Sequence, residues 1–274
     1  MLPGRTGRED RQGLGAYPLK TTSTYGAELI SVMGNDLTVV NAARVSFDKV
    51  SDYETVFHTV WEDDVLLGGY TYNQVVKQLK DADARLISYL AREGHWTPFA
   101  HPQLSFRVSA PIFVARQLQK HQIGLAWNEV SRRYVDSEPV IYVPETWRKR
   151  ADNVKQGSSD EIVEQMQGFE YIVDHGFEYY PSTPSAQADK AASECVSLYD
   201  ELLSAGVCPE QARMVLPQSM MTEWVWTGSL AAFARVCNQR LDSHAQRECA
   251  PVAQAIAKAL DQNFPVSWTA LRKQ

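Results

Sequence analysis

The chain has 274 residues, 44% of them hydrophobic, with 33 acidic against 27 basic side chains and a formal net charge of −6. That length can bury a sizeable core as one domain or at most two, and the acidic balance argues against a general nucleic-acid-binding surface. No apolar run approaches the roughly 20 residues that span a bilayer, and no apolar segment follows Arg5, Arg8 and Arg11, so neither a membrane partner nor a secretory signal is expected.

Residues 1–25 are rich in Gly, Arg and Thr without periodicity and read as a loose extension, leaving 26–274 as the folded body. Residues 27–33 read as a strand, followed by turn chemistry at Gly34 and Asn35. Residues 37–46 carry apolar side chains at helical spacing (Val39, Val40, Ala43). The acidic, aromatic stretch 49–80 reads as a surface insertion, helical toward its end. Residues 83–92 form an amphipathic helix with Leu86, Ile87 and Leu90 on one face. Residues 103–109 alternate strictly, with Leu104, Phe106 and Val108 on one side, as in a strand with one buried face. Pro111 suits the first turn of a helix reaching about His121, closed by Gly124. Helical spacing returns at 171–177, 191–203 and 252–260. Strands mixed with several helices predict an α+β domain.

The densest chemistry lies in residues 116–134, RQLQKHQIGLAWNEVSRRY. Such groups are costly to bury without partners, and here they sit beside apolar Ile123, Leu125 and Trp127. This is the composition of a pocket for a polar, anionic, ring-bearing ligand. Arg132, Arg133 and the backbone near Ser131 suit a phosphate through charge-assisted hydrogen bonds, and Trp127 and Tyr134 offer flat walls. Gln117, Lys120 and His121 share one helical face. Ser131 lacks a nucleophile elbow and any legible triad.

His95 and His101 flank a turn and make a poor metal motif, and no metal site is expected. Residues 240–248, RLDSHAQRE, read as the opening of a helix capped by Asp242 or Ser243, with His244 and Glu248 as an i,i+4 pair. Arg240, just before it, is free to reach a cleft. Arg213, in apolar surroundings, is expected to be partly buried with an anionic partner. Cys195, Cys208, Cys237 and Cys249 show no C-x-x-C spacing and read as reduced thiols of a cytoplasmic protein.

These blocks resemble the flavin-dependent thymidylate synthases. The family's Arg-His-Arg triplet followed by Ser appears as Lys120-His121-Gln122 and Ser131, framed by residues 111–117, Asn128-Glu129 and Arg133-Tyr134. Residues 32–48 (VMGNDLTVVNAARVSFD), 95–101 (HWTPFAH), 213–217 and 240–246 (RLDSHAQ) are similar to further family blocks, in the family's order. The resemblance implies an α+β flavin-dependent thymidylate synthase-like fold with a mixed sheet, spanning 26–274 with 49–80 inserted. It also implies homotetramers with sites between subunits, and conversion of dUMP to dTMP with methylenetetrahydrofolate as carbon donor, FAD as redox carrier and NADPH as reductant.

By the same resemblance, Gln117, Lys120, Glu129, Ser131, Arg132, Arg133, Arg213 and Arg240 would hold dUMP. Arg240 and Ser131 would be catalytic, with Arg240 beside the uracil, where a cation favours loss of the N3 proton. Ser46, Thr97, Lys120, His121, Gln122, Glu129, Ser229 and Arg235 would contact FAD, with His95 and Tyr134 near the pocket. Lys120 and Gln122 stand where the family has arginines, which predicts FAD retention weaker by about 1–2 kcal/mol unless Arg235 restores the charge. Two alternatives keep the scaffold: a pyrimidine nucleotide hydroxymethylase and a non-catalytic nucleotide-binding homologue.

Overall fold

The computed structural model describes residues 19–62, 69–135, 137–152, 157–166, 170–173, 176–179 and 181–273. In chain order come β1 (Thr21–Thr22), β2 (Gly26–Met33), α1 (Asp36–Arg44), β3 (Glu54–Glu62), β4 (Tyr70–Gln78), α2 (Asp81–Arg92), β5 (Gln103–Pro111), α3 (Ile112–Leu118) and β6 (Leu125–Glu129). Then follow β7 (Ile141–Tyr142), β8 (Arg148–Arg150), β9 (Ser158–Ile162), β10 (Glu170–Val173), β11 (Gly176–Tyr179), α4 (Pro184–Ser204), α5 (Pro209–Ala212), β12 (Met221–Ser229), α6 (Leu230–Arg240), α7 (Ala250–Asn263) and α8 (Pro265–Leu271).

The principal sheet has the order β2-β5-β12-β6, every pairing antiparallel. The α+β expectation holds, and a parallel pair, β1 with β7, lies apart from this sheet. The alternation on β5 buries Leu104, Phe106 and Val108 as expected, and β12 repeats it with Thr222, Trp224 and Trp226. Period-two burial gives both strands one face toward the helices. Phe106 and Trp226 meet Phe233 of α6 edge-on at centroid distances of 4.9 and 5.4 Å. Helix α7 packs on β2 and α6, and α2 on α8.

Two carboxylates tie the helices together. Asp36, the first residue of α1, accepts the Val266 and Ser267 N–H groups at 3.0 and 2.9 Å, capping the first turn of α8. Asp83 of α2 is fully buried and accepts from Arg44 Nε at 3.0 Å and from the Ser51 hydroxyl.

Several expected elements differ. The second half of 49–80 is a strand, β4, paired with β3 through nine registered positions. Its Tyr70, Tyr72, Val75 and Val76 favour the extended chain and outweigh the helical spacing. The helix expected at 171–177 is likewise an antiparallel pair, β10 with β11. Helix α3 stops at Leu118, and His121 N–H closes a tight turn on the Leu118 carbonyl at 3.0 Å. No helix opens at Asp242 or Ser243. Instead α6 ends at Arg240, and α7 begins only at Ala250, where Pro251 occupies its first turn.

Candidate active site

Turn chemistry places the first group of side chains. Gly124, at φ +76°, follows the turn after α3, and a Cβ there would press on Ser229 Oγ at 3.3 Å and the Ala232 Cβ at 3.2 Å. This close approach brings residues 119–124 against the start of α6, which Ser229 caps by accepting from Ala232 N–H at 3.2 Å. Ser229 is therefore buried. Arg235, one and a half turns into α6, donates to the Ile123 carbonyl at 2.5 Å.

Arg240 closes the same helix. Its Nε donates to His121 Nε2 at 2.9 Å, its Nη1 to Gln117 Oε1 at 3.3 Å and its Nη2 to the Gln117 carbonyl at 3.2 Å. His121 is buried, and its pKa is lowered to about 4 by that burial first and then by the guanidinium groups of Arg240 and Arg235. The imidazole is neutral, so the charge here is carried by the arginines. Among the described residues no carboxylate pairs with Arg240 or Arg235, and no side chain partners exposed Lys120 or Gln122. In a chain of net charge −6, this end of α6 is a local excess of uncompensated cation suited to phosphates.

A second group lies at the far end of β6. Four strand steps, about 13 Å, separate Leu125 from Glu129. Glu129 accepts from the Thr222 hydroxyl at 2.7 Å and from Trp127 Nε1 at 3.1 Å. Ser131 Oγ accepts from Arg133 Nε at 3.2 Å, and the Arg133 guanidinium lies 4.9 Å from the Tyr134 ring. Arg132 donates to the Ser137 carbonyl. Glu129, Arg132, Arg213 and Thr222 line one cleft of about 140 Å3.

Some expected site residues stand differently. Arg213 is exposed, not partly buried, and its Nε donates to the Glu210 carbonyl at 3.3 Å. The Glu210 carboxylate lies 4.0 Å from Arg133. Trp127 is not an open wall: it stacks on Trp224 at 4.0 Å, because β6 joins the sheet beside β12. His244 and Glu248 do not pair. His244 turns to Asp242 at 3.1 Å and Glu248 to Arg148 at 2.5 Å. Ser46 and Thr97 are exposed in the turns Val45–Phe47 and Thr97–Ala100, the latter packed on α1 and α6. His95 stacks on Tyr89. Thr222, which anchors Glu129, had no sequence signal beyond its place in an alternating strand.

Residues 28–266 match the family described as thymidylate synthase complementing protein. The flavin-dependent thymidylate synthase of Thermotoga neapolitana is 34% identical over 248 residues, covering 90% of this chain and 90% of that protein. The chain belongs to the flavin-dependent thymidylate synthases. A synthase of Thermus thermophilus is 32% identical over 245 residues, 89% of this chain and 74% of its own. Among solved structures, the UMP/dUMP methylase PolB of Streptomyces cacaoi, bound with 5-Br dUMP, superposes with a TM-score of 0.67 at 27% identity, covering 92% and 96% of the two chains. Both side-chain groups fall within the stretch that matches the flavin-dependent thymidylate synthase family.

Proposed function

We propose that this protein methylates dUMP to dTMP as a flavin-dependent thymidylate synthase, with FAD as cofactor and methylenetetrahydrofolate and NADPH as co-substrates. The observation that carries the reading is the Arg240 guanidinium, held by Gln117 and neutral His121 with no carboxylate against it among the described residues. Opposite a uracil ring, such a cation favours loss of the N3 proton and sends electron density toward C5. Arg133, Ser131 and Arg132 are suited to hold the nucleotide phosphate, and Glu129 to orient the ring.

No enzyme thiol is needed for this activation, and the two cysteines nearest Arg240 in the chain are unfit for it. Burial pushes the Cys237 thiol up to about 12 and, against the lowering effect of Arg240, the Cys249 thiol up to about 11.

The groups around α6 suit a dinucleotide cofactor: Lys120, Gln122 and Arg235 for its phosphates, with Ser46, Thr97, His121 and Ser229 as further contacts, while Glu129 would meet it from the other end of β6. FAD, when bound, supplies the redox chemistry that turns a transferred one-carbon unit into a methyl group. The residues assigned to dUMP occupy both ends of β6, about 13 Å apart by strand rise. That separation supports a homotetramer in which neighbouring subunits complete each site and exclude water. No helix among the described residues is long and apolar enough to cross a membrane, in keeping with a cytoplasmic enzyme.

Anaerobic incubation with dUMP, methylenetetrahydrofolate, NADPH and FAD, with nucleotides read by mass spectrometry, tests the reading. dTMP that disappears when FAD is omitted is the expected result. Absence of product despite measured dUMP and FAD binding overturns it in favour of a binding-only homologue. A hydroxymethylated product moves the reading to the hydroxymethylase. The likeness to a methylase acting on UMP as well as dUMP makes UMP the second substrate to assay beside dUMP.

A further inference from the structure

Side chains from distant segments form one file of hydrogen bonds ending on Arg240. Arg240 Nη1 donates to Gln117 Oε1 at 3.3 Å, and Gln117 Nε2 donates onward to Gln246 Oε1 at 3.1 Å. The Gln246 side chain lies beside the Glu248 carboxylate. Burial pushes the Glu248 carboxyl up, but hydrogen bonds from Arg148, its own backbone and Gln246 outweigh this and bring it below its ordinary value. Arg148 Nη2 donates to Glu248 Oε1 at 2.5 Å, and Arg148 Nε is fixed by Ser158 Oγ at 2.7 Å.

A side-chain amide has one end that donates and one that accepts, and its partners decide which way it faces. A carboxylate only accepts and a guanidinium only donates. With Glu248 at one end and Arg240 at the other, both amides must turn their NH2 toward Glu248 and their oxygen toward Arg240. Reversing Gln117 would set NH2 against guanidinium N–H, a partly buried donor facing a donor.

We infer that Glu248, through Gln246, is a positioning residue that fixes the direction of the Gln117 amide and thereby holds the Arg240 guanidinium in the site. The inference rests on the reading of Arg240 as the cation facing uracil. Glu248 and Gln246 lie away from the cleft of Glu129 and Arg213. With Tyr142, Trp147 and Arg148 they line a separate cavity of about 310 Å3. Their effect on the reaction therefore runs through Gln117.

Glu248→Gln tests it, because an amide at 248 keeps its oxygen on Arg148, which only donates, and turns its NH2 toward Gln246, so the acceptor that sets the direction is lost. kcat with dUMP should fall about tenfold or more, while the KM for dUMP and the FAD content change less than twofold. The double exchange Gln246→Glu with Glu248→Gln returns an acceptor-only group to Gln117 and should recover most of kcat. A purely structural contribution predicts additive losses instead. Gln246→Met, which leaves the Arg148–Glu248 pair in place, should show the same kcat loss and serves if Glu248→Gln fails to fold. Wild-type kcat in Glu248→Gln and Gln246→Met, or a double exchange no better than the single, overturns the relay. Wild-type kcat in Arg240→Ala overturns the reading of Arg240 itself, so the two failures are distinct.

Discussion

Arg240 Nε donates to His121 Nε2 at 2.9 Å, and this one contact fixes where the imidazole carries its proton. A guanidinium has no acceptor, so Nε2 must offer its lone pair and the imidazole proton must sit on Nδ1. Gln117 binds the other two arms of the same guanidinium, so all three of its nitrogens are held.

A pH dependence of stability follows. His121 is held at about 4 in the folded protein, below the ordinary 6.5, by burial first and then by Arg240 and Arg235. Between those values the unfolded chain binds a proton that the folded chain refuses, so stability rises with pH across this window. The contribution is fully present above pH 6.5 and is lost as pH falls toward 4. Melts at pH 5, 6 and 7 should show a steeper fall for the wild type than for His121→Gln. Equal slopes would remove His121 from the account.

Arg240→Ala should lower kcat for dUMP methylation at least about a hundredfold, the scale on which a fixed charge facing developing negative charge acts, while FAD stays bound. Arg240→Lys should recover little, since an ammonium cannot reach His121 and both Gln117 oxygens from one plane. Single-turnover dTMP formation and the flavin absorbance together read this out. Loss of flavin with activity would move Arg240 to a cofactor role.

Gln122→Arg should tighten FAD about five- to tenfold, the effect of one charge-assisted hydrogen bond, because residue 122 is exposed beside Lys120 with no side-chain partner among the described residues. Fluorescence titration measures it. Unchanged affinity would mean that Arg235 already supplies the charge.

Thr222→Val removes the 2.7 Å hydrogen bond to Glu129 and leaves that carboxylate only Trp127 Nε1. Affinity for dUMP should drop about fivefold with the fold intact. Calorimetric titration giving wild-type affinity would show that Glu129 does not need its anchor.

Asp83→Ala is the stability counterpart. It strips Arg44 and Ser51 of a buried carboxylate and should cost about 3 kcal/mol, the low end for a broken buried pair because Arg44 is partly exposed. Denaturant titration tests it. A loss under about 1 kcal/mol would mean that water replaces the carboxylate.

Local patterns carried much of this protein in the sequence. Strict alternation wrote β5 with its buried face, helical spacing wrote α2, α4 and α7, and the stretch 116–134 stands out by its crowding of polar and charged groups, since period and composition are properties of neighbouring residues. Where two periods competed, as at 70–78, β-branched and aromatic side chains in a paired ladder prevailed over helical spacing.

What only the tertiary structure decided is which groups meet. Arg240 and His121 lie 119 residues apart, and Trp127 finds Trp224 only because β6 joins the sheet beside β12. Burial, the direction of an amide and the protonation of an imidazole are set by the nearest atoms in space, and a sequence records only the nearest atoms along the chain.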